Sequence, residues 1–116
     1  MKKSCTALAA ATVIFAPLAQ AETQLVGMSG LSPNAQALKQ YVVNTYSPPS
    51  IGGVRPCDWV GEHCSGLALD FMVHGNTALG NAIYQDVCVN NKAAHGVRYC
   101  LWQVANHYDH VHATVY

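Results

Sequence analysis

After Ser32-Pro33-Asn34, the residues Ala35, Leu38, Tyr41, Val42 and Tyr46 recur at helical spacing. With Ser or Asn as cap and Pro in the first turn, this pattern predicts a helix over about 34–46. Ser47-Pro48-Pro49-Ser50 stops it. Ile51–Val54 is a short strand candidate, residues 55–66 are a polar loop, and Leu67–Val73 is a mostly apolar run that fits a buried strand. Gly75-Asn76 is a turn, and Thr77 is placed to cap a second helix running to about Asn90, with Leu79, Ile83, Val87 and Cys88 inward. Val97–Trp102 is β-rich, Gln103–Tyr108 is a polar connection, and Asp109–Tyr116 is a final strand. Residues 22–32 carry no clear period and are expected as an irregular N-terminal arm. The order α-β-β-α-β-β predicts an α+β domain: a small antiparallel sheet of about four strands covered by two helices.

Composition changes the picture at the N-terminus. Met1-Lys2-Lys3, the apolar run Ala7–Leu18 and Ala19-Gln20-Ala21 have the form of a secretory signal peptide cleaved at about Ala21. The run is too short to span a bilayer. The expected organisation is therefore a signal peptide (1–21), an arm (22–32) and one domain (33–116), secreted or periplasmic and cell-wall associated, with no stable membrane anchor. The mature part keeps four basic residues, Lys39, Arg55, Lys92 and Arg98, against six acidic ones, a net charge of −2. That balance argues against a nucleic-acid partner, which needs a basic stripe. Cys57, Cys64, Cys88 and Cys100 form an even set in a small exported chain and predict two disulfides. Three pairings are possible; Cys57–Cys64 and Cys88–Cys100 are favoured because each closes a local loop. The rival, a cysteine-ligated zinc site, lacks the tight Cys-x2-Cys spacing of structural zinc modules.

The chemistry-bearing residues are His63, Asp70, His110 and His112. His110 and His112 are two apart on a predicted strand and share a sheet face, with Val111 pointing into the core. Asp70 ends an apolar strand, where an unpaired carboxylate is costly to bury and a cation resolves the cost. Three of these four side chains suffice for an open zinc site with N and O ligands, and the fourth can serve as base. The plainer alternative makes Asp70 a strand-end cap and the two histidines a solvated edge. Glu62 is a lesser candidate base, because neighbours in sequence rarely face one target. Asp109 is placed to orient a histidine ring or to stand as a solvated strand-end acid, and His107 is expected as a loop residue, with a site wall as the lesser reading. His74 and His95, beside turn glycines, are expected at the surface. Trp102 and Tyr108 suit a cleft lining or the core, and Ser65 a structural hydrogen bond.

The stretch Gly52-Gly53-Val54-Arg55 through Glu62-His63-Cys64-Ser65-Gly66-Leu67-Ala68-Leu69-Asp70-Phe71 resembles the D,D-carboxypeptidases of the lysostaphin, D-Ala-D-Ala peptidase and hedgehog group of zinc peptidases. The end, Asn106-His107-Tyr108-Asp109-His110-Val111-His112, is similar to the murein endopeptidase branch and to small secreted actinobacterial proteins. The resemblance spans about residues 33–116. It implies Zn2+ on His63, Asp70 and His112, with His110 as base or oxyanion partner. It also implies that Arg55 polarises the substrate carbonyl or anchors a carboxylate. The carboxypeptidase members place a Glu shortly before the last His ligand; here His110 stands two before His112, which favours the His-x-His branch. The implied activity is cleavage of peptidoglycan stem peptides or cross-links by metal-activated water. The alternatives are a metal-containing binding module with weak catalysis, or an effector using the same hydrolase. A His-metal nuclease lacks the basic surface. The sequence assigns no oligomeric state.

Overall fold

A computed structural model describes residues 22–116. The expected signal peptide and Cys5 lie outside the described residues. The chain folds as α+β: β1 (Gln24–Val26), α1 (Pro33–Tyr46), β2 (Ser50–Gly52), β3 (Ala68–Met72), α2 (Thr77–Ile83), β4 (Val97–Leu101) and β5 (His110–Val115). The five strands form one mixed sheet in the order β1-β2-β3-β5-β4.

Two expectations need correction here. The sheet has five strands rather than four, and it is not wholly antiparallel. The arm supplies the extra strand: β1 pairs parallel to β2, Gln24 opposite Ser50 and Val26 opposite Gly52. A parallel neighbour requires a crossover, and α1 provides it. The three residues of β1 are exposed, so no apolar alternation marks them in the sequence.

Helix α1 begins as its sequence dictates. The Ser32 side chain accepts a hydrogen bond from the Ala35 amide, Pro33 sits in the first turn, and Ala35, Leu38 and Val42 are buried. The cap of α2 is Asn76, not Thr77: the Asn76 side chain accepts from the Leu79 amide at 3.0 Å. After Ile83 the chain widens into a π-helical segment, Tyr84–Asn90, in which the Asn91 amide donates to the Asp86 carbonyl. This segment brings Cys88 to Cys100 on β4; the second disulfide joins Cys57 to Cys64. Both favoured pairings are present.

Alternation divides the sheet into two faces. Leu69 and Phe71 of β3 and Val111, Ala113 and Val115 of β5 join Ile51, Leu38, Val42, Ile83 and Val87 in one core. Ala68, Asp70, His110, His112 and Thr114 fall on the opposite face by the same period. A bulge in β4 matters for both. Val97 pairs with Val115 but Tyr99 pairs with Thr114, so Arg98 is the extra residue. Val97 thereby enters the core while Tyr99 reaches the other face.

Candidate metal centre

The site lies on the face away from the helices, roofed by the loop that follows β2. Register builds its floor. Asp70 is directly opposite His112 in the β3–β5 ladder and opposite Gly52 in the β2–β3 ladder. Gly52 has no side chain, which leaves space beside the carboxylate for groups from the loop. His63 comes from that loop and is held down by its own turn: the Gly66 amide donates to the His63 carbonyl at 3.1 Å and the Leu67 amide to the Glu62 carbonyl at 3.0 Å. Ser65 donates its hydroxyl to the Glu62 carbonyl, the structural bond expected of it.

His63, Asp70 and His112 are all buried, and each offers one ligand atom within 4.8 Å of the others. Asp70 Oδ1 is 3.1 Å from His112 Nδ1 and 3.4 Å from His63 Nε2. His110 Nε2 lies 3.6 Å from the same oxygen. Asp70 Oδ2 accepts from Arg55 Nη1 at 2.8 Å; the Arg55 side chain is half exposed at the cleft. The cleft, about 440 Å³ in volume, is also lined by Asp58, Val60, Tyr99, Asn106 and His107.

The outer nitrogen of each imidazole decides what its inner nitrogen presents. His63 Nδ1 lies 2.9 Å from the Gly53 carbonyl, an obligate acceptor, so Nδ1 carries the proton. His63 Nε2 is then a bare lone pair, buried, without a hydrogen-bond partner, and turned toward Asp70. His110 Nδ1 is 2.8 Å from the Asp109 carboxylate, which likewise leaves Nε2 as the inward acceptor. Around His112 Nε2 stand Thr114 Oγ1 at 2.8 Å and Glu62 Oε1 at 3.3 Å. Thr114 gives its own proton to Glu62 Oε1 at 2.8 Å, so the proton at His112 belongs on Nε2. Lone pairs thus converge on one carboxylate oxygen. Such an arrangement is repulsive without a cation among them, and a buried polar atom with no partner is costly. The donor set can hold a metal ion, and the orphaned Nε2 of His63 is the observation that marks the fit.

The electrostatics agree. Burial acts to raise the Asp70 pKa, but the Arg55 guanidinium and the His112 and His63 rings crowded against it outweigh this and hold the carboxyl far below the usual range. Burial acts to lower the His63 pKa, and the Asp70 carboxylate beside the ring reverses this and raises it. The pocket therefore favours positive charge next to Asp70.

Several expectations are placed directly. Asp109 orients His110, and His107 forms a wall, its ring 4.9 Å from that of His110. Glu62, the lesser candidate base, lines the cleft but stands behind His112, accepting from Tyr99, Thr114 and His112. One expectation is corrected. His95 is not a surface residue: its ring packs 4.4 Å from that of Tyr41, with Nε2 3.6 Å from Asp86. Trp102 belongs to the helix side, donating to Asn81 at 2.9 Å, and Tyr108 is exposed. Thr114 and Tyr99 were the site residues that sequence reasoning missed. Thr114 was reachable, because it continues the His-x-His period by one step. Tyr99 was not, because only the bulge turns it to this face.

The two disulfides fit an oxidising environment. Among the described residues no helix is long and apolar enough to cross a membrane. No curated protein and no solved structure matches the chain. The family model described as VldE, C-terminal domain, matches residues 27–111. That span runs from the turn after β1 into β5, takes in Arg55, His63, Asp70 and His110, and ends one residue before His112. With most of its length matched, the chain belongs to the VldE C-terminal domain family.

Proposed function

We propose that this domain is an exported zinc-dependent peptidase acting on the stem peptides or cross-links of peptidoglycan. One observation carries the reading: the unpartnered, buried lone pair of His63 Nε2 beside Asp70 and His112. Two imidazoles and one carboxylate are the donor set of open, catalytic zinc sites, which keep a position for water or substrate. A resemblance to zinc peptidases in the His63 to Asp70 stretch and the His110-Val111-His112 end supports the substrate class.

In that function His63, Asp70 and His112 would hold the ion, which would supply Lewis acidity toward a carbonyl oxygen and a water. The remaining work falls to side chains. His110 presents an unprotonated Nε2 at the edge of the ligand set, with its ring fixed by Asp109. It takes the proton from the attacking water and passes it to the departing amine. Arg55 spends Nη1 on Asp70, and its half-exposed guanidinium binds the negative charge that grows on the carbonyl oxygen, or a substrate carboxylate. His107 walls the cleft beside His110 and limits where the peptide can lie.

The test is metal analysis of the purified mature chain, followed by digestion of purified peptidoglycan with mass spectrometry of the fragments. One zinc per chain, lost in Asp70→Asn, together with new peptide termini, supports the proposal. Zinc retention without cleavage assigns the domain to a metal-containing binding module instead. Absence of zinc after reconstitution removes both.

A further inference from the structure

Resting on the reading of His63, Asp70 and His112 as ligands, we propose that Glu62, acting through Thr114, is the positioning residue that makes His112 an Nδ1 ligand. Thr114 is two residues beyond His112 on β5 and shares its face, fully buried. Its hydroxyl has one proton, and Glu62 Oε1 takes it at 2.8 Å. The Thr114 oxygen is then left to accept from His112 Nε2, also at 2.8 Å. Glu62 Oε1 approaches the same nitrogen at 3.3 Å. An ionised carboxylate has no proton to donate. Everything facing Nε2 is therefore an acceptor, and a neutral imidazole answers by carrying its proton there. The relay thus competes with Asp70 Oδ1, the acceptor 3.1 Å from Nδ1, and favours the lone pair on Nδ1, the side on which an ion would bind.

Glu62 is itself the target of two donors, since the Tyr99 and Thr114 hydroxyls both give their protons to its carboxylate. Its position in the chain adds a coupling. Glu62 and the ligand His63 are neighbours in one loop, yet they address opposite sides of the site: His63 meets Asp70 from above, Glu62 reaches behind His112. Docking of this single loop therefore delivers one ligand and sets the tautomer of another. The three histidines reach the same end by different devices: a backbone carbonyl for His63, the Asp109 carboxylate for His110, and the Glu62–Thr114 relay for His112. The relay sets a carboxylate behind a proposed metal ligand, which also raises the basicity of that ligand.

The test reads zinc affinity by chelator competition, and the His112 tautomer by nitrogen and carbon chemical shifts in the metal-free protein. Glu62→Ala is expected to weaken zinc binding by roughly 10–100-fold and to move His112 from the Nε2–H form to a mixture, while His63 keeps its Nδ1 proton. Thr114→Val, which preserves shape, is expected to shift both readouts in the same direction by less, and Thr114→Ser to restore them. Tyr99→Phe removes a donor to Glu62 while keeping the ring stacked on that of His112, and is expected to leave the tautomer unchanged. An unchanged His112 tautomer in both Glu62→Ala and Thr114→Val overturns the inference. So does a Tyr99→Phe variant as damaging as Glu62→Ala, since Glu62 then merely ties down its loop. If the wild-type chain binds no zinc, the ligand reading fails, and the metal-free spectrum still decides whether Glu62 sets the tautomer.

Discussion

A carboxylate withdrawn from water stays ionised only where donors outweigh the loss of hydration, and the molecule does this away from the site as well, at the half-buried Asp86. Asp86 accepts from Tyr41 and Tyr46 hydroxyls at 2.6 Å each and from Asn91 at 2.7 Å, with His95 Nε2 3.6 Å away. Burial acts to raise its pKa, and these bonds more than reverse that, so the folded value lies below the unfolded one. A depressed carboxyl contributes stability that is fully present above its unfolded pKa of about 3.9 and is lost as the pH falls through the folded value. Asp86→Asn is therefore expected to lower the melting temperature at neutral pH and to flatten its fall below about pH 4, as followed by circular dichroism. At the centre itself, His110→Ala is expected to keep zinc while reducing peptidoglycan cleavage by about 10²–10⁴-fold, measured on one preparation by metal analysis and digestion. The four site residues were legible because the His110-Val111-His112 alternation, the costly carboxylate of Asp70 and the motif that joins His63 to it pointed to them. Glu62 was set aside because adjacent side chains diverge; they do diverge here, but onto two histidines of one site.

At the scale of elements, the turn from His63 to Asp70 shows why its glycine is a geometric requirement. Gly66 has φ of +79°, and a Cβ there would overlap the Gly30 carbonyl oxygen of the arm. The arm and the turn are locked by the Ser32 amide, which donates to the Gly66 carbonyl at 3.0 Å. Neither backbone can move aside. Gly66→Ala is expected to cost about 2–4 kcal/mol from combined left-handed strain and overlap, read as a lower denaturant midpoint, with zinc affinity falling alongside. Helix α1 was fully legible, since cap, proline and apolar stripe agreed. Strand β1 was not, because all three of its residues are exposed and its partner lies beyond a helix. The β4 bulge was illegible for a related reason: Val97 and Tyr99 look like one face by alternation, and only pairing with β5 separates them.

Across the whole molecule, the sheet works as a partition. Its helix side is the apolar core, and its other side is a polar site that needs a rigid floor. The two disulfides act on different sides of this partition. Cys88–Cys100 ties the π-helical segment to β4, while Cys57–Cys64 closes the loop that carries Glu62 and His63. Each closes a short loop and is expected to contribute about 2–3 kcal/mol. Replacing Cys88 and Cys100 by serine should lower the melting temperature and leave zinc affinity nearly intact. Replacing Cys57 and Cys64 should weaken zinc binding as well, because the freed loop must be ordered each time the ion binds. Thermal melts and chelator competition on the two double variants separate these effects; equal losses of zinc affinity would contradict the division.

By itself, the order of residues determined which side chains could meet an ion, the first helix and the α+β class, and it favoured the disulfide pairing that the structure holds. Those features depend on local period, capping chemistry and parity, which are written within a few residues of one another. Tertiary structure decided the rest. It added β1 to the sheet, turned Tyr99 to the site, put Glu62 and Thr114 behind His112 and left His63 Nε2 without a partner. Each of these depends on which backbone groups pair across distant segments, and a hydrogen bond between residues fifty positions apart leaves no periodic trace in either segment.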